Sequence, residues 1–134
     1  MTIIEPTNES VKELAGLHLY HGDISNCSMR VRMTLEEKEL NWVSHHIDLK
    51  KKENITDEYF GINPNGLVPT LIHDGVVHIE SNDIIDYLDT AFPDPSLRSA
   101  DKEAEMLEWL KLSADLHVPA IKPYVYAKKI APKI

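Results

Sequence analysis

Ser25, Cys27 and Ser28 fall within one turn of each other in the run Ser25-Asn26-Cys27-Ser28-Met29-Arg30-Val31-Arg32, where a loop gives way to helical apolar spacing. The chemistry these residue types suit is that of a sulfur anion. A thiol near its reference pKa of about 8.5 is mostly protonated at neutral pH, and the thiolate is the nucleophile. Lowering that pKa by roughly two units requires about 2.7 kcal/mol of preferential stabilisation of the anion. A hydroxyl hydrogen bond to an anion supplies about 1.5 to 3 kcal/mol and a helix N-terminus about 0.3 to 1. One serine at a helix start is therefore sufficient, although Ser25 or Ser28 equally suits a plain helix cap. Cys27 has two readings of its own. In the first turn of a helix a thiol pKa falls, which makes it a nucleophile. It also lies four residues before Val31 and eight before Leu35, spacing that turns it toward a buried face as an inert core cysteine.

A second group surrounds a proline. In Asn63-Pro64-Asn65-Gly66-Leu67-Val68-Pro69-Thr70-Leu71-Ile72-His73-Asp74-Gly75, everything after Pro69 reads as a strand entering a Gly-ended hairpin. Proline cannot donate to a sheet ladder, so at a strand start it belongs at an edge or at a backbone bend. With a cis Val68-Pro69 bond, the Val68 main chain turns out of the sheet and its N–H and C=O are left to pair with an extended peptide. With a trans bond, Pro69 is an ordinary edge proline. Val76-Val77-His78-Ile79 reads as the next strand. Glu80-Ser81-Asn82-Asp83 then precedes Ile84, Ile85 and Leu88 at helical spacing, which makes Ser81 the expected N-cap.

These groups need elements to hold them. Leu17-His18-Leu19-Tyr20 reads as a strand running through His21-Gly22-Asp23-Ile24 into a helix that carries Val31, Leu35 and Leu40. From Trp42 to Leu49, the apolar Val43, Ile47 and Leu49 alternate with polar neighbours, the period of a half-buried strand. A helix and loop from Asn54 to Gly66 lead to Pro69. The order is strand, helix, strand, short helical segment, two strands and a helix, an α/β class. Two helix N-termini follow strand ends, and each collects free N–H groups and partial positive charge suited to a thiolate or carboxylate. Residues Met1 to Gly16 form an extension with a short helical possibility from Ser10 to Ala15, and no function attaches to them.

In this order and at these spacings, the segment from Leu17 to Phe92 resembles the glutathione transferase superfamily, in particular its serine-type zeta and theta classes and their bacterial relatives. The resemblance implies an extension over 1–16, a thioredoxin-like glutathione-binding domain over 17–92, a linker over 93–98, and the start of an incomplete all-helical domain over 99–134. It implies that Ser25 hydrogen-bonds the thiolate of glutathione, the co-substrate, whose own sulfur attacks an electrophilic small molecule. Val68, ahead of Pro69, would pair through its backbone with the cysteinyl part. Glu80 would receive the γ-glutamyl ammonium, and Ser81 with its helix N-terminus would meet the carboxylate. His46 and Lys50 are the candidates for the glycyl carboxylate. In the family's beta class a cysteine at the place of Cys27 forms mixed disulfides with glutathione. A Cys27-dependent thiol transferase, or a glutathione-dependent ether or halide lyase, is therefore the alternative chemistry. A non-catalytic interaction module is the third reading.

Composition narrows the partners. The chain has 134 residues, 43% of them hydrophobic, and a net charge of −8, so a nucleic-acid backbone is not an expected ligand. Lys50-Lys51-Lys52, between a strand and a helix, reads as a solvated loop. The single Cys27 excludes an intrachain disulfide and fits a reducing compartment. No stretch has transmembrane length and the start does not resemble a signal peptide, so no membrane partner and a cytoplasmic location are expected. No metal site is expected either. His45 and His46 are neighbours on a strand and face opposite sides, while His73 and His78 have no recognised ligand spacing.

After Phe92, Pro93-Asp94-Pro95-Ser96 breaks the pattern. Ser99 is placed to cap a helix to Leu116, with Leu107, Leu110 and Ala114 on one face and Met106, Trp109 and Leu112 beside it. The helical domain of the resembling family is longer than this. Leu116, Val118, Ile121, Tyr124, Val125 and Tyr126 are therefore expected to have few intrachain partners, as in a truncated product or a homodimer or other homo-oligomer.

Overall fold

The computed structural model describes residues 2–125, 127 and 128, so Tyr126 lies outside the described residues. Five strands form one mixed sheet: β1 (Ile3–Ile4), β2 (Leu17–His21), β3 (Trp42–His46), β4 (Thr70–His73) and β5 (Val76–Ile79), in the order β1-β5-β4-β2-β3. β2 and β3 are parallel, and the other neighbours are antiparallel. The helices are α1 (Asn26–Glu37), α2 (Asp57–Phe60), α3 (Ser81–Ala91), α4 (Glu103–Leu116) and α5 (Lys122–Val125). The chain divides into two compact units, Met1–Ser96 and Leu97–Ile134. The first has the βαβ-ββα order of a thioredoxin-like fold.

Side-chain alternation along the strands sorts the core of this unit into two faces. Leu17 and Leu19 of β2 and Leu71 of β4 pack with Val31 and Leu35 of α1 and Ile84 and Leu88 of α3. On the other face, Ile72, Val77 and Ile79 meet Tyr59 of α2, Ile62 and Val11. Val11 belongs to a 3-10 turn, Glu9–Glu13, and is 3% exposed. Residues 2–16 thus supply both an edge strand, with Ile3 opposite His78 and Ile4 opposite Val77, and a core side chain.

Two polar links across α1 and α3 fix how the helices run. Arg30 reaches Ser81 and Asn82, while Lys38, the C-cap of α1, reaches Asp89. Both links advance along the two sequences in the same sense, so the helices lie side by side and parallel, with both N-termini at one end of the sheet. The Lys38–Asp89 pair is buried, its side chains 0% and 3% exposed, with Nζ 2.8 Å from Oδ1. Nζ also donates to the Pro95 carbonyl at 2.6 Å, which ties the segment after α3 to the end of α1.

Several sequence expectations need correction. β3 ends at His46 rather than Leu49, and Val43 is 49% exposed. β3 is an edge strand with neighbouring structure on one side, so an alternating pattern there does not guarantee a covered apolar face. Leu40 lies beyond α1, packed against the α1/α3 cluster from the following loop. Ser81 is the first residue of α3, and Glu80 holds the N-cap position with no side-chain cap bond. The helix foreseen after Asn54 shrinks to the single turn Asp57–Phe60, capped by Thr56. In the second unit, Ser99 precedes a 3-10 turn, Ala100–Lys102, that leads into α4. Leu107, Trp109, Leu112, Leu116, Ile121 and Tyr124 are exposed. Among the described residues, no helix is long and apolar enough to cross a membrane.

Removing one partner of a buried ion pair costs about 3 to 5 kcal/mol, whereas replacing both by apolar groups is often close to neutral. Lys38→Met is therefore expected to lower stability by about 3 kcal/mol or more in urea unfolding. Combining it with Asp89→Leu should recover most of that loss. Equal destabilisation by the double variant would show that the ion pair is not the source.

Candidate functional site

The strand register brings the candidate segments to one end of the sheet. His45, Tyr20, Thr70 and Ile79 form one row across β3, β2, β4 and β5. Beyond it, β2 leads toward Ser25, β4 is entered from Val68 and Pro69, and β5 leaves into Glu80 and Ser81. The N-termini of α1 and α3 lie at this same end.

Ser25 is the N-cap of α1, 9% exposed, and its Oγ accepts the Ser28 N–H at 3.1 Å. This is the capping role, but it occupies a lone pair and leaves the hydroxyl proton without an acceptor among the described residues. Ser28 is fully buried and turned inward, its Oγ accepting the Gly22 N–H at 3.2 Å. Both hydroxyls accept a backbone N–H and neither donates among the described residues, so what separates them is exposure: Ser25 keeps some surface, whereas Ser28 is fully enclosed. Cys27, in the first turn of α1, is half-buried and is not part of either core cluster. The buried face of α1 runs through Ser28, Val31, Thr34 and Leu35, one position round from the stripe expected to include Cys27.

The loop before α1 is held from α1 itself. Arg32 donates to the Gly22 carbonyl at 3.1 Å and to His21 Nδ1 at 3.0 Å. With Nδ1 accepting, the His21 proton sits on Nε2, which donates to Ser44 Oγ at 2.6 Å. Burial, and then the charge of Arg32 beside it, lower the His21 pKa from 6.5 to about 4. A side chain at Gly22 would bring its Cβ within 2.9 Å of Leu49 Cδ1, so the close approach favours glycine. His46 ends β3 3.5 Å from Asp23, and Lys50 is exposed in the turn beyond it.

The Val68-Pro69 bond is cis. Val68 belongs to no strand, and its N–H and C=O have no hydrogen-bond partner among the described residues. The segment is fixed from below by buried side chains. Tyr59 donates to the Leu67 carbonyl at 2.6 Å and meets Thr70 Oγ1 at 2.8 Å. Asn63 donates to the same carbonyl at 3.1 Å and to Thr70 Oγ1 at 3.0 Å. Burial pushes the Tyr59 phenol up to about 12, so it remains a donor throughout the neutral range.

Glu80 has φ 71°, a left-handed conformation that non-glycine residues seldom adopt, and its carboxylate is exposed. Ser81 Oγ accepts from Arg30 at 3.4 Å, and Asn82 Oδ1 accepts from the same guanidinium at 2.6 Å. A cavity of about 280 Å³ bordered by Tyr20, Ile47 and Tyr59 takes in none of the candidate residues. Among the described residues, no cluster of three or more His, Cys, Asp or Glu side chains has metal-binding geometry.

Residues 19–96 match the family model described as glutathione S-transferase, N-terminal domain. The chain belongs to this family. It is 36% identical over 100 residues to glutathione S-transferase 1 of Dianthus caryophyllus, a match covering 75% of this chain and 45% of that protein. It is 42% identical over 99 residues to the protein LigF of Sphingobium sp., covering 71% of this chain and 38% of that one. The crystal structure of the β-etherase LigF superposes with a TM-score of 0.81 at 37% identity, over 88% of this chain and 51% of that one. The chain thus spans about half the length of these relatives or less, and the family match falls on the unit that carries the candidate site.

Sequence reasoning missed Arg30, Arg32, His21, Asn63 and Tyr59. Arg30 and Arg32 stood inside the quoted serine motif, and a helical wheel would have set them beside the Val31/Leu35 stripe. Their partners on α3 and in the loop are not local, so that wheel names no contact.

Two outcomes follow. Leaving buried hydrogen-bonding groups unsatisfied costs about 1 to 3 kcal/mol, so Asn63→Ala should lower unfolding stability by that order. For His21, folded and unfolded forms are both neutral above pH 6.5. Between 6.5 and about 4 the unfolded chain binds a proton that the native side chain refuses, so stability falls with pH across this window. Urea unfolding at pH 7 and pH 5 should show a smaller loss in His21→Gln than in the parent. Identical losses would remove His21 as a contributor.

Proposed function

We propose that this chain binds glutathione and activates its thiol for attack on an electrophilic small molecule, with Ser25 donating to the thiolate. The observation that carries this reading is the convergence at one sheet end of the Ser25 hydroxyl proton, the unpaired Val68 backbone groups and the N-terminus of α3. An extended peptide needs backbone partners, which Val68 offers as an N–H and a C=O. A carboxylate is favoured at a helix N-terminus, which Ser81 opens, and an ammonium by a free carboxylate, which Glu80 presents. The strained φ of Glu80, with no cap bond in return, is the kind of backbone cost that accompanies a binding site.

The thiolate step balances simply. The glutathione S–H gives its proton to solvent, the Ser25 O–H donates to the resulting sulfur anion, and that sulfur forms a bond to the electrophilic carbon as the carbon's leaving group departs with its bonding pair, or as the pair of an activated double bond shifts to the adjacent atom and takes a proton from solvent. Ser25 keeps its cap because Oγ accepts from Ser28 with a lone pair while the proton points elsewhere. His46 and Lys50, beyond the same sheet end, are the candidate donors for the glycyl carboxylate. The exposed apolar side chains of α4 support self-association as part of this reading.

A second reading concerns the electrophile. Similarity to a β-etherase favours a carbon bearing an ether oxygen, from which the thiolate would expel an alkoxide or phenoxide. Cys27, half-buried beside Ser25, is the residue on which a thiol-transfer alternative would rest.

Calorimetry with glutathione at neutral pH, with thiolate absorbance followed in the same samples, tests this. A hydrogen bond to a charged group contributes about 1.5 to 3 kcal/mol, so Ser25→Ala should raise the bound thiol pKa by roughly one to two units and abolish most of the thiolate signal. The lost cap alone would cost about 1 kcal/mol of stability without touching that signal. Retention of thiolate in Ser25→Ala but not in Cys27→Ala would transfer the chemistry to Cys27. No binding at millimolar glutathione would overturn the reading.

A further inference from the structure

The family match begins at residue 19, so residues 2–16 stand ahead of what this chain shares with the family model. They are nevertheless fastened at several points. β1 pairs with β5, and the Ile79 N–H donates to the Thr2 carbonyl at 2.9 Å. The Asn8 N–H donates to the Gly61 carbonyl at 2.9 Å, an approach so close that a Cβ added at Gly61 would lie 3.1 Å from the Asn8 Cβ. Gly16 and Asp74 close the far end, the Gly16 carbonyl accepting the Asp74 N–H at 3.0 Å and the Gly16 N–H donating to Oδ1 at 2.6 Å. Between these points Val11 is buried in the cluster of Tyr59, Ile62 and Ile72, against which Val68 also packs.

What this segment grips is the support of the ligand edge. Gly61 stands between Tyr59 and Asn63, the two residues that donate to the Leu67 carbonyl ahead of Val68. α2 is one turn of four residues, a length that does not hold a helix in water, and Thr56 caps only its start. The turn from Tyr59 to Asn63 therefore depends on tertiary contacts for its place, and Asn8 and Val11 supply them. We propose that residues 2–16 form a strap that positions the Val68 backbone for an extended peptide ligand, with Asn8 and Val11 as positioning residues that act through Tyr59, Gly61 and Asn63. This rests on the glutathione reading above. Hydrogen bonds weaken steeply with misalignment, so an edge whose support shifts loses its pairing with a ligand before the fold is lost. Holding that edge in the binding geometry beforehand lowers the cost of association.

Two variants of one residue separate the strap from its local cap. Asn8→Pro removes the N–H that meets Gly61, at a backbone φ of −80° that proline accepts, whereas Asn8→Ala removes the side-chain cap and keeps the N–H. Calorimetry on the full chain compares glutathione with its depsipeptide, in which an ester oxygen replaces the cysteinyl N–H and deletes the donor to the Val68 carbonyl. The parent should prefer glutathione by about threefold to tenfold. In Asn8→Pro that preference should shrink to within about twofold, while Asn8→Ala keeps it. Val11→Ala, which loosens the same support from the core, should act like Asn8→Pro and takes its place if that variant does not fold. Hydrogen exchange reads the support without ligand: the Gly66 N–H, bonded to the Asn63 carbonyl at 3.0 Å, should exchange about tenfold faster in Asn8→Pro, with Leu19 in β2 unchanged. An unchanged preference, or equal weakening of both peptides, would make the segment purely structural and overturn the proposal, as would a Gly66 amide that does not respond. A parent that binds neither peptide fails the glutathione reading and the proposal with it. A parent that binds both equally removes the Val68 pairing, and so the proposal, while glutathione binding stands.

Discussion

The Leu67 carbonyl, held by two buried side chains, is the constraint on which the site end of the sheet depends. Tyr59 and Asn63 both donate to it, and both also contact Thr70, which is fully buried in the row that joins β2, β4 and β5. Each member satisfies another, so the approach to β4 is fixed by a closed polar network. A backbone carbonyl left unpaired in that position would carry a desolvation penalty of about 1 to 3 kcal/mol. Because Leu67 is tied inward, Val68 follows with its own N–H and C=O outside the ladder, where a ligand backbone can reach them.

The helix pair is held on the same principle at both ends. At the site end, Arg30 joins α1 to the first turn of α3. At the far end, Lys38 joins α1 to Asp89 and to the Pro95 carbonyl. The apolar contacts of Val31 and Leu35 with Ile84 and Leu88 supply attraction between these ends but little directional information. Hydrogen-bonded charges supply the register. With α1 and α3 locked in parallel, the Ser25 cap and the start of α3 stand at the same edge.

The loop from β2 to α1 is similarly over-determined. Gly22 gives its N–H to Ser28 and its carbonyl to Arg32 and to the Ser25 N–H, while His21 is kept neutral between Arg32 and Ser44. A neutral imidazole there accepts on one side and donates on the other, which a protonated ring could not do. The hydroxyl of Ser25 is thereby presented by groups that are each bonded elsewhere.

Local rules carried most of the outline. Short apolar runs bounded by turn signals placed β2 and β5, and Pro69 marked the entry to β4, because each of these depends on a few consecutive residues; cap chemistry left Ser25 level with Ser28, and the resemblance to glutathione transferases singled out Ser25. Where burial was inferred from the same local pattern it failed, as for Val43, since strand order leaves β3 at an edge and no stretch of five residues encodes its neighbours. Met1 to Gly16 gave no alternation to announce β1, whose two residues are a strand by virtue of pairing with β5. By itself, then, the sequence determined the order of elements and the presence of Ser25, Val68, Glu80 and Ser81 at their ends. Tertiary structure decided which groups meet: Arg30 with Ser81 and Asn82, Tyr59 and Asn63 with Leu67 and Thr70, Lys38 with Asp89. Arg30 and Lys38 meet partners 51 or 52 residues away, and Tyr59 and Asn63 close a loop over 4 to 11 residues, so what brings each pair within hydrogen-bond reach is the packing of the whole unit.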